Sequence, residues 1–210
     1  MFKFGVLAST KGTDLQAIID EMKNGNMPGI ELAVVVSNKA DAYALERAKS
    51  QGFKAVFIDP KGLTREQYDE KLVEVLKENG VELVCLIGYM KILTSVFVKA
   101  FLGKIVNVHP ALIPKFSGKN FFGANVHEAV LAAHETETGC TFHFVTEEVD
   151  GGPIILQKKV AVSSSDTPDS LKEKVQILEK KYYPEIVRQF AAGKFSLESA
   201  RIQAEGLTLT

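Results

Sequence analysis

Leu83-Val84-Cys85-Leu86-Ile87 is an unbroken apolar run. A strand with one wet face alternates apolar and polar side chains, whereas a run that is apolar at every position has to be covered on both faces. Parallel strands inside an α/β sheet have that environment, and Val34-Val35-Val36 repeats the signature. Working outward, a strand over Val81–Ile87 is preceded by three strand–helix cycles. Phe2–Ala8, Glu31–Ser37 and Ala55–Ile58 read as strands, with helices near Thr13–Lys23, Ala40–Gln51 and Thr64–Asn79. A short helix over Ser95–Phe101 follows. This alternation implies an α/β, doubly wound, Rossmann-like and mostly parallel sheet with right-handed crossovers.

The second half breaks the rhythm. After a strand at Ile105–Val108 come a loop, a helix near Val126–His134, and strand-like runs at Gly139–Val145 and Pro153–Val162. Only the turn around Asp150–Gly152 separates these last two runs, so they are expected to pair as an antiparallel C-terminal hairpin. Leu171, Val175, Leu178, Tyr182 and Ile186 recur at helical spacing between Ser170 and Ala192. Thr167-Pro168 suits the start of that helix, and Pro184 is expected to kink it. The expectation is a single domain over 1–210 with two lobes and a cleft between them. Residues 1–100 form a nucleotide- or phosphate-binding lobe and residues 101–195 a catalytic lobe, followed by a tail at 196–210 that is either an added strand or a disordered end.

Composition narrows the function classes. The chain has 210 residues, is 46% hydrophobic and carries a formal net charge of -1 without any basic block. Such a charge balance argues against nucleic acid as a partner and leaves small molecules. No apolar stretch approaches the roughly 20 residues of a membrane span. Cys85 and Cys140 lie in apolar runs and read as buried, reduced residues. The expected location is cytoplasmic, and monomer and homodimer both remain open.

Three polar constellations carry chemistry. In Ile105–Pro114, IVNVHPALIP, strand parity puts Asn107 and His109 on one face of a strand end, and Pro110 stops regular structure just beyond. Open α/β sheets build their sites at this carboxyl edge. An amide can donate to a developing oxyanion, and an imidazole can carry a proton near neutral pH. Asn107 capping a turn beside a structural His109 is the competing interpretation. Asp150-Gly151-Gly152-Pro153 offers a carboxylate that could orient His109, or is an ordinary hairpin turn. Ser9-Thr10-Lys11-Gly12-Thr13-Asp14 joins a strand to a helix, where free N–H groups and Lys11 suit a phosphate. A capping box with Thr13 as cap and Gln16 reaching back is compatible with that, while Asp14 competes with a phosphate for the same partial charge. His127 and His134 are about two turns apart, too far for a shared metal, and no metal site is expected. His143 lies between Phe142 and Phe144 and reads as structural. Lys172, Lys174, Lys180 and Lys181 read as a solvated helix face.

These pieces, with Ser37-Asn38-Lys39, GYMKIL at 88–93 and TGCTFHFVTEEVDGGPIILQKKV at 138–160, resemble the folate-dependent glycinamide ribonucleotide formyltransferases over about Phe4 to Phe190. The resemblance implies the formyltransferase fold, and transfer of a formyl group from 10-formyltetrahydrofolate to glycinamide ribonucleotide without a metal. On it, Asn107 holds the formyl oxygen, His109 stabilises the oxyanion, and Asp150 pairs with His109 and helps relay the amine proton. Ribonucleotide contacts map onto Lys11, Gly12, Thr13, Asp14, Arg65 and Glu179, and folate contacts onto Met90, Lys91, Leu93 and Val145. The chain departs from the family in two places. Thr13-Asp14 stands where well-known members have Ser-Asn, and an ionised Asp cannot donate. After Pro114–Gly118 it reads KNFFGANVHEAVL in place of a His-rich segment. Competing functions are a formyltetrahydrofolate hydrolase, which shares the Asn, His and Asp set, and a non-catalytic nucleotide-binding module. A chain starting at its first strand is expected to favour the transferase over the hydrolase.

Overall fold

The computed structural model describes residues 1–198, so the expected tail beyond that point lies outside the described residues. Seven strands form one sheet in the order β3-β2-β1-β4-β5-β6-β7. They are β1 (Phe2–Ala8), β2 (Ile30–Ser37), β3 (Ala55–Phe57), β4 (Leu83–Ile87), β5 (Ile105–His109), β6 (Glu137–Phe144) and β7 (Ile154–Ala161). The helices are α1 (Thr13–Lys23), α2 (Tyr43–Ser50), α3 (Arg65–Glu78), α4 (Ser95–Ala100), α5 (Ala124–Ala132) and α6 (Pro168–Ala191). Strands β1 to β5 pair in parallel, and β6 pairs antiparallel with both β5 and β7.

The apolar runs explain this layering. All five residues of β4 are buried, because the strand is covered on both faces. On one face, Phe4, Val6, Cys85, Val106 and Phe142 pack under α1, α2 and α6. On the other, Leu7, Val84, Leu86 and Ile105 pack under Tyr68 and Leu72 of α3 and Phe97 of α4. Tyr183 of α6 reaches into the first layer, where its hydroxyl donates to Leu86 O at 3.0 Å. Burying the Tyr183 ring while its hydroxyl finds a backbone carbonyl helps fix α6 against the sheet.

Several boundaries differ from expectation. Helix α1 has no side-chain cap: Gly12, at φ 63°, is the N-cap and Thr13 already belongs to the helix. Gln16 does not reach back but bonds Asp20, Arg47 and Gln51, so the expected capping box is absent. A Cβ at Gly12 would come within 2.8 Å of Ala44, so the left-handed turn and the close approach of α2 both require glycine. Helix α2 starts at Tyr43 rather than Ala40, after a turn in which Ala42 N donates to Lys39 O. Helix α5 ends before His134, whose φ of 53° is not helical. The capping box appears instead at α3 and at α6, where Thr64 and Thr167 are the caps. Helix α6 runs unbroken through Pro184. Both cysteines are free and buried.

The strand order reverses between β1 and β4, the two strands from which successive crossovers run in opposite directions. Open α/β sheets bind ligands outside the carboxyl ends of strands at such a point. The loops after β1, β4 and β5 all open there.

Candidate active site

A cavity of about 860 Å³ occupies this carboxyl edge. Its lining joins the 10–14 loop, the 86–93 segment, the end of β5, residues 118–123, the 145–150 loop and one side of α6.

At its centre the antiparallel β5–β6 pair sets Asn107 directly opposite His143, and His109 opposite Thr141. Asn107 Nδ2 lies 3.1 Å from His143 Nε2, while His143 Nδ1 lies 2.9 Å from Phe144 O. A carbonyl can only accept, so Nδ1 carries the hydrogen and Nε2 accepts from the Asn107 amide. Burial holds the His143 imidazole below its ordinary range, against the upward pull of the Phe144 carbonyl and Asp150. A neutral His143 therefore fixes the Asn107 amide through one N–H and leaves the other for the cavity. His143, expected to be structural, belongs to the polar centre.

His109 is 4% exposed. Its Nδ1 lies 3.5 Å from Asp150 Oδ2, and its Nε2 lies 2.7 Å from Phe116 O. Asp150 sits at φ 55° in the β6–β7 turn and faces both histidines, with Oδ1 3.6 Å from His143 Nε2. Its Oδ2 also accepts from Gly118 N at 3.0 Å. Gly152 makes that turn possible: a Cβ there would lie 1.8 Å from Phe144 O. Thus the amide, imidazole and carboxylate that the sequence singles out come together.

The first arm of the cavity is the start of α1. Helix geometry leaves the first N–H groups of α1 without intrahelical partners, and they face the cavity with partial positive charge. Lys11, Gly12, Thr13 and Asp14 all line it. Arg47 supports the loop by donating to Lys11 O at 2.7 Å. Asp14 is only 5% exposed, and its Oδ1 is buried without a hydrogen-bond partner. Burial pushes its carboxyl up to about 7, partly offset by Lys180. Glu179 also lines the cavity and is buried. Burial, with Asp14 next in weight, holds its carboxyl well above the usual range, while Lys180 and Lys172 pull it down.

The second arm is formed by the loop after β4 and by β6. Met90, Lys91, Leu93 and Val145 line it, with Met90 45% exposed and the Lys91 ammonium 5.3 Å from the Tyr68 ring centre. Ser9 ties the two arms together: its hydroxyl donates to Asn38 Oδ1 and accepts from Met90 N at 2.9 Å. Arg65 does not line the cavity. It is exposed at the start of α3, and its guanidinium donates to Ile92 O at 2.9 Å, bracing the second arm from outside.

Two further lining residues escaped the sequence reading. His127 on α5 is buried with Nδ1 unpartnered, and burial, with Lys172 and His109 nearby, lowers it to about 4. Lys172, expected on a solvated face, lines the cavity from α6. Both follow from which way α5 and α6 turn, which periodicity alone leaves open. Among the described residues, no group of three or more His, Cys, Asp or Glu is placed to hold a metal ion. No described helix is long and apolar enough to cross a membrane.

Known proteins resemble this chain in sequence and fold. A formyl transferase family model matches residues 2–187. The chain is 40% identical over 210 residues to phosphoribosylglycinamide formyltransferase of Haemophilus influenzae, covering 100% of this chain and 96% of that protein. It is 42% identical over 199 residues to the trifunctional purine biosynthetic protein adenosine-3 of Gallus gallus, spanning 94% of this chain but 19% of that protein. Among solved structures, glycinamide ribonucleotide transformylase 1 from Symbiobacterium toebii matches with a TM-score of 0.86 at 43% identity, covering 92% of this chain and 89% of that one. A match that runs from β1 to α6, with the sheet order and its antiparallel edge preserved, leaves one conclusion: the chain belongs to the formyl transferase family, among its phosphoribosylglycinamide formyltransferases.

Proposed function

We propose that the chain transfers the formyl group of 10-formyltetrahydrofolate to the amine of glycinamide ribonucleotide, giving formylglycinamide ribonucleotide and tetrahydrofolate. The observation that carries this reading is the Asn107, His109, Asp150 and His143 cluster standing between the two arms of one cavity. The α1 arm suits a phosphate, so the ribonucleotide lies there against Lys11, Gly12, Thr13 and Asp14, with Glu179 toward the ribose. The arm of Met90, Leu93 and Val145, with Lys91 beside them, suits the pterin of the folate. Arg65 contributes by holding the second arm through Ile92 O rather than by touching the ribonucleotide.

The chemistry follows from these positions. The amine nitrogen attacks the formyl carbon, and the carbonyl π electrons move onto the oxygen. The free N–H of Asn107 and the Nε2–H of His109 donate hydrogen bonds to that oxyanion, which replaces Phe116 O as the acceptor while the proton stays on Nε2. Asp150 holds the Nδ1 side of His109 and accepts the proton shed by the amine. Collapse breaks the bond from carbon to the folate nitrogen, which leaves with that proton. No metal is used. The protein works in the cytoplasm on small molecules, without nucleic acid or membrane partners, as a monomer or homodimer. Within it, the start of α1 with Glu179 serves the ribonucleotide, the loop after β4 with Val145 serves the folate, and the end of β5 with the β6–β7 turn serves the chemistry.

The test is tetrahydrofolate release from 10-formyltetrahydrofolate with and without glycinamide ribonucleotide. Release that requires the amine and yields the formylated ribonucleotide supports the reading. Equal release without the amine means the hydrolase and overturns it.

A further inference from the structure

Asp14 and Glu179 form a buried carboxyl pair that formyl transfer itself does not use. They approach from α1 and α6, which pack together, and both face the α1 arm of the cavity. Asp14 is 5% and Glu179 7% exposed. Among the described residues no salt bridge closes on either. Asp14 Oδ1 has no donor, although it is buried in the first turn of a helix whose N–H groups face the same space.

We propose that Asp14 acts in its protonated form, so that the ribonucleotide's phosphate binds together with one proton taken up at this carboxyl. The inference rests on reading the 11–14 loop as the phosphate site. A phosphate dianion at the start of α1 competes with an ionised Asp14 for one partial positive charge, and Glu179 opposite adds a second negative charge. Protonation removes the repulsion and turns the unpartnered oxygen into an O–H donor, the role an asparagine amide would fill. The groups around the pair set the balance. Lys180 of α6 favours the ionised form, and Arg47 of α2 is engaged with Lys11 O. Cys140 of β6 and Tyr183 of α6 lie within the field of both carboxyls and stay uncharged through burial. Lys172 acts on Glu179. Burial already brings the Asp14 carboxyl to about 7, and a phosphate beside it raises it further.

The experiment is calorimetric titration with formylglycinamide ribonucleotide, whose acylated amine does not titrate. It is run at pH 7.5 and 8.5, where the phosphate is dianionic, in two buffers of different ionisation enthalpy. Wild type is expected to take up a large fraction of one proton, and its Kd to rise with pH toward the limit of tenfold per unit for one proton. Asp14→Asn is expected to take up none and to keep a flat Kd. Glu179→Gln is expected to move the wild-type dependence to lower pH, since a like charge is gone. Equal proton uptake by wild type and Asp14→Asn would overturn the proton linkage while leaving the phosphate site intact. Failure of either protein to bind the product at any pH would overturn the site assignment itself.

Discussion

At the scale of the residue, the site is a set of polar groups held by burial rather than by water. His127 shows the consequence most simply. It is buried and neutral, with Lys172 and His109 opposing its protonation, and titrates at about 4 in the folded chain against about 6.5 unfolded. A depressed value means the unfolded chain binds more protons between those limits. Stability is therefore full above the unfolded value and is lost as pH falls through the folded one. Asp14, whose value is raised, has the opposite slope in that range, so a difference between proteins is needed to isolate His127. Urea unfolding of His127→Gln should lose about 1–3 kcal/mol less than wild type between pH 7 and 4.5. Parallel curves would show that the imidazole is not buried neutral. The residue scale is also where the sequence was least legible. Asn107, His109 and Asp150 stood out because amide, imidazole and carboxylate interrupt apolar runs at strand ends. His143 did not, because its phenylalanine neighbours look like core. Its role depends on register, the pairing of Asn107 with His143, which one strand cannot specify without its partner.

At the scale of the element, turns rather than strands set the precision of the site. Asp150 reaches both histidines only because the β6–β7 connection bends back at a left-handed residue and because Gly152 lets Phe144 O approach. A methyl at Gly152 has no room against a backbone carbonyl, so Gly152→Ala must open the hairpin end. Thermal unfolding should show a loss of about 1–3 kcal/mol, in the range of overpacking. Activity should fall further than stability does, because Asp150 moves. A variant of wild-type stability and rate would contradict this account of the turn. Periodicity placed nearly every helix and strand, since apolar runs and 3.6-residue spacing follow from burial. It placed α1 over Thr13–Lys23 but missed how that helix begins, because the glycine turn at Gly12, not a side-chain cap, starts it. It placed Lys172 on a solvated face, and the residue is exposed, but spacing gives a helix a polar face without saying that a cavity lies beside it.

At the scale of the molecule, one sheet brings the two halves of the chemistry together. The reversal of strand order between β1 and β4 opens a crevice whose walls are the loops after both strands. Ser9 links those walls through Asn38 and Met90, so the α1 arm and the β4 arm are held in one frame. The parallel part was legible because LVCLI and VVV admit few environments. The far edge followed from the short connection between β6 and β7. How the edge strands carry His143 and Asp150 to Asn107 and His109 is a property of the assembled sheet. The central claim is that this assembly stabilises an oxyanion. The most direct measurement is the steady-state rate of formyl transfer to glycinamide ribonucleotide by Asn107→Ala, with KM for both substrates. The account predicts a kcat at least about a hundredfold below wild type with KM values changed far less, since one oxyanion donor is lost. A kcat near wild type would contradict it.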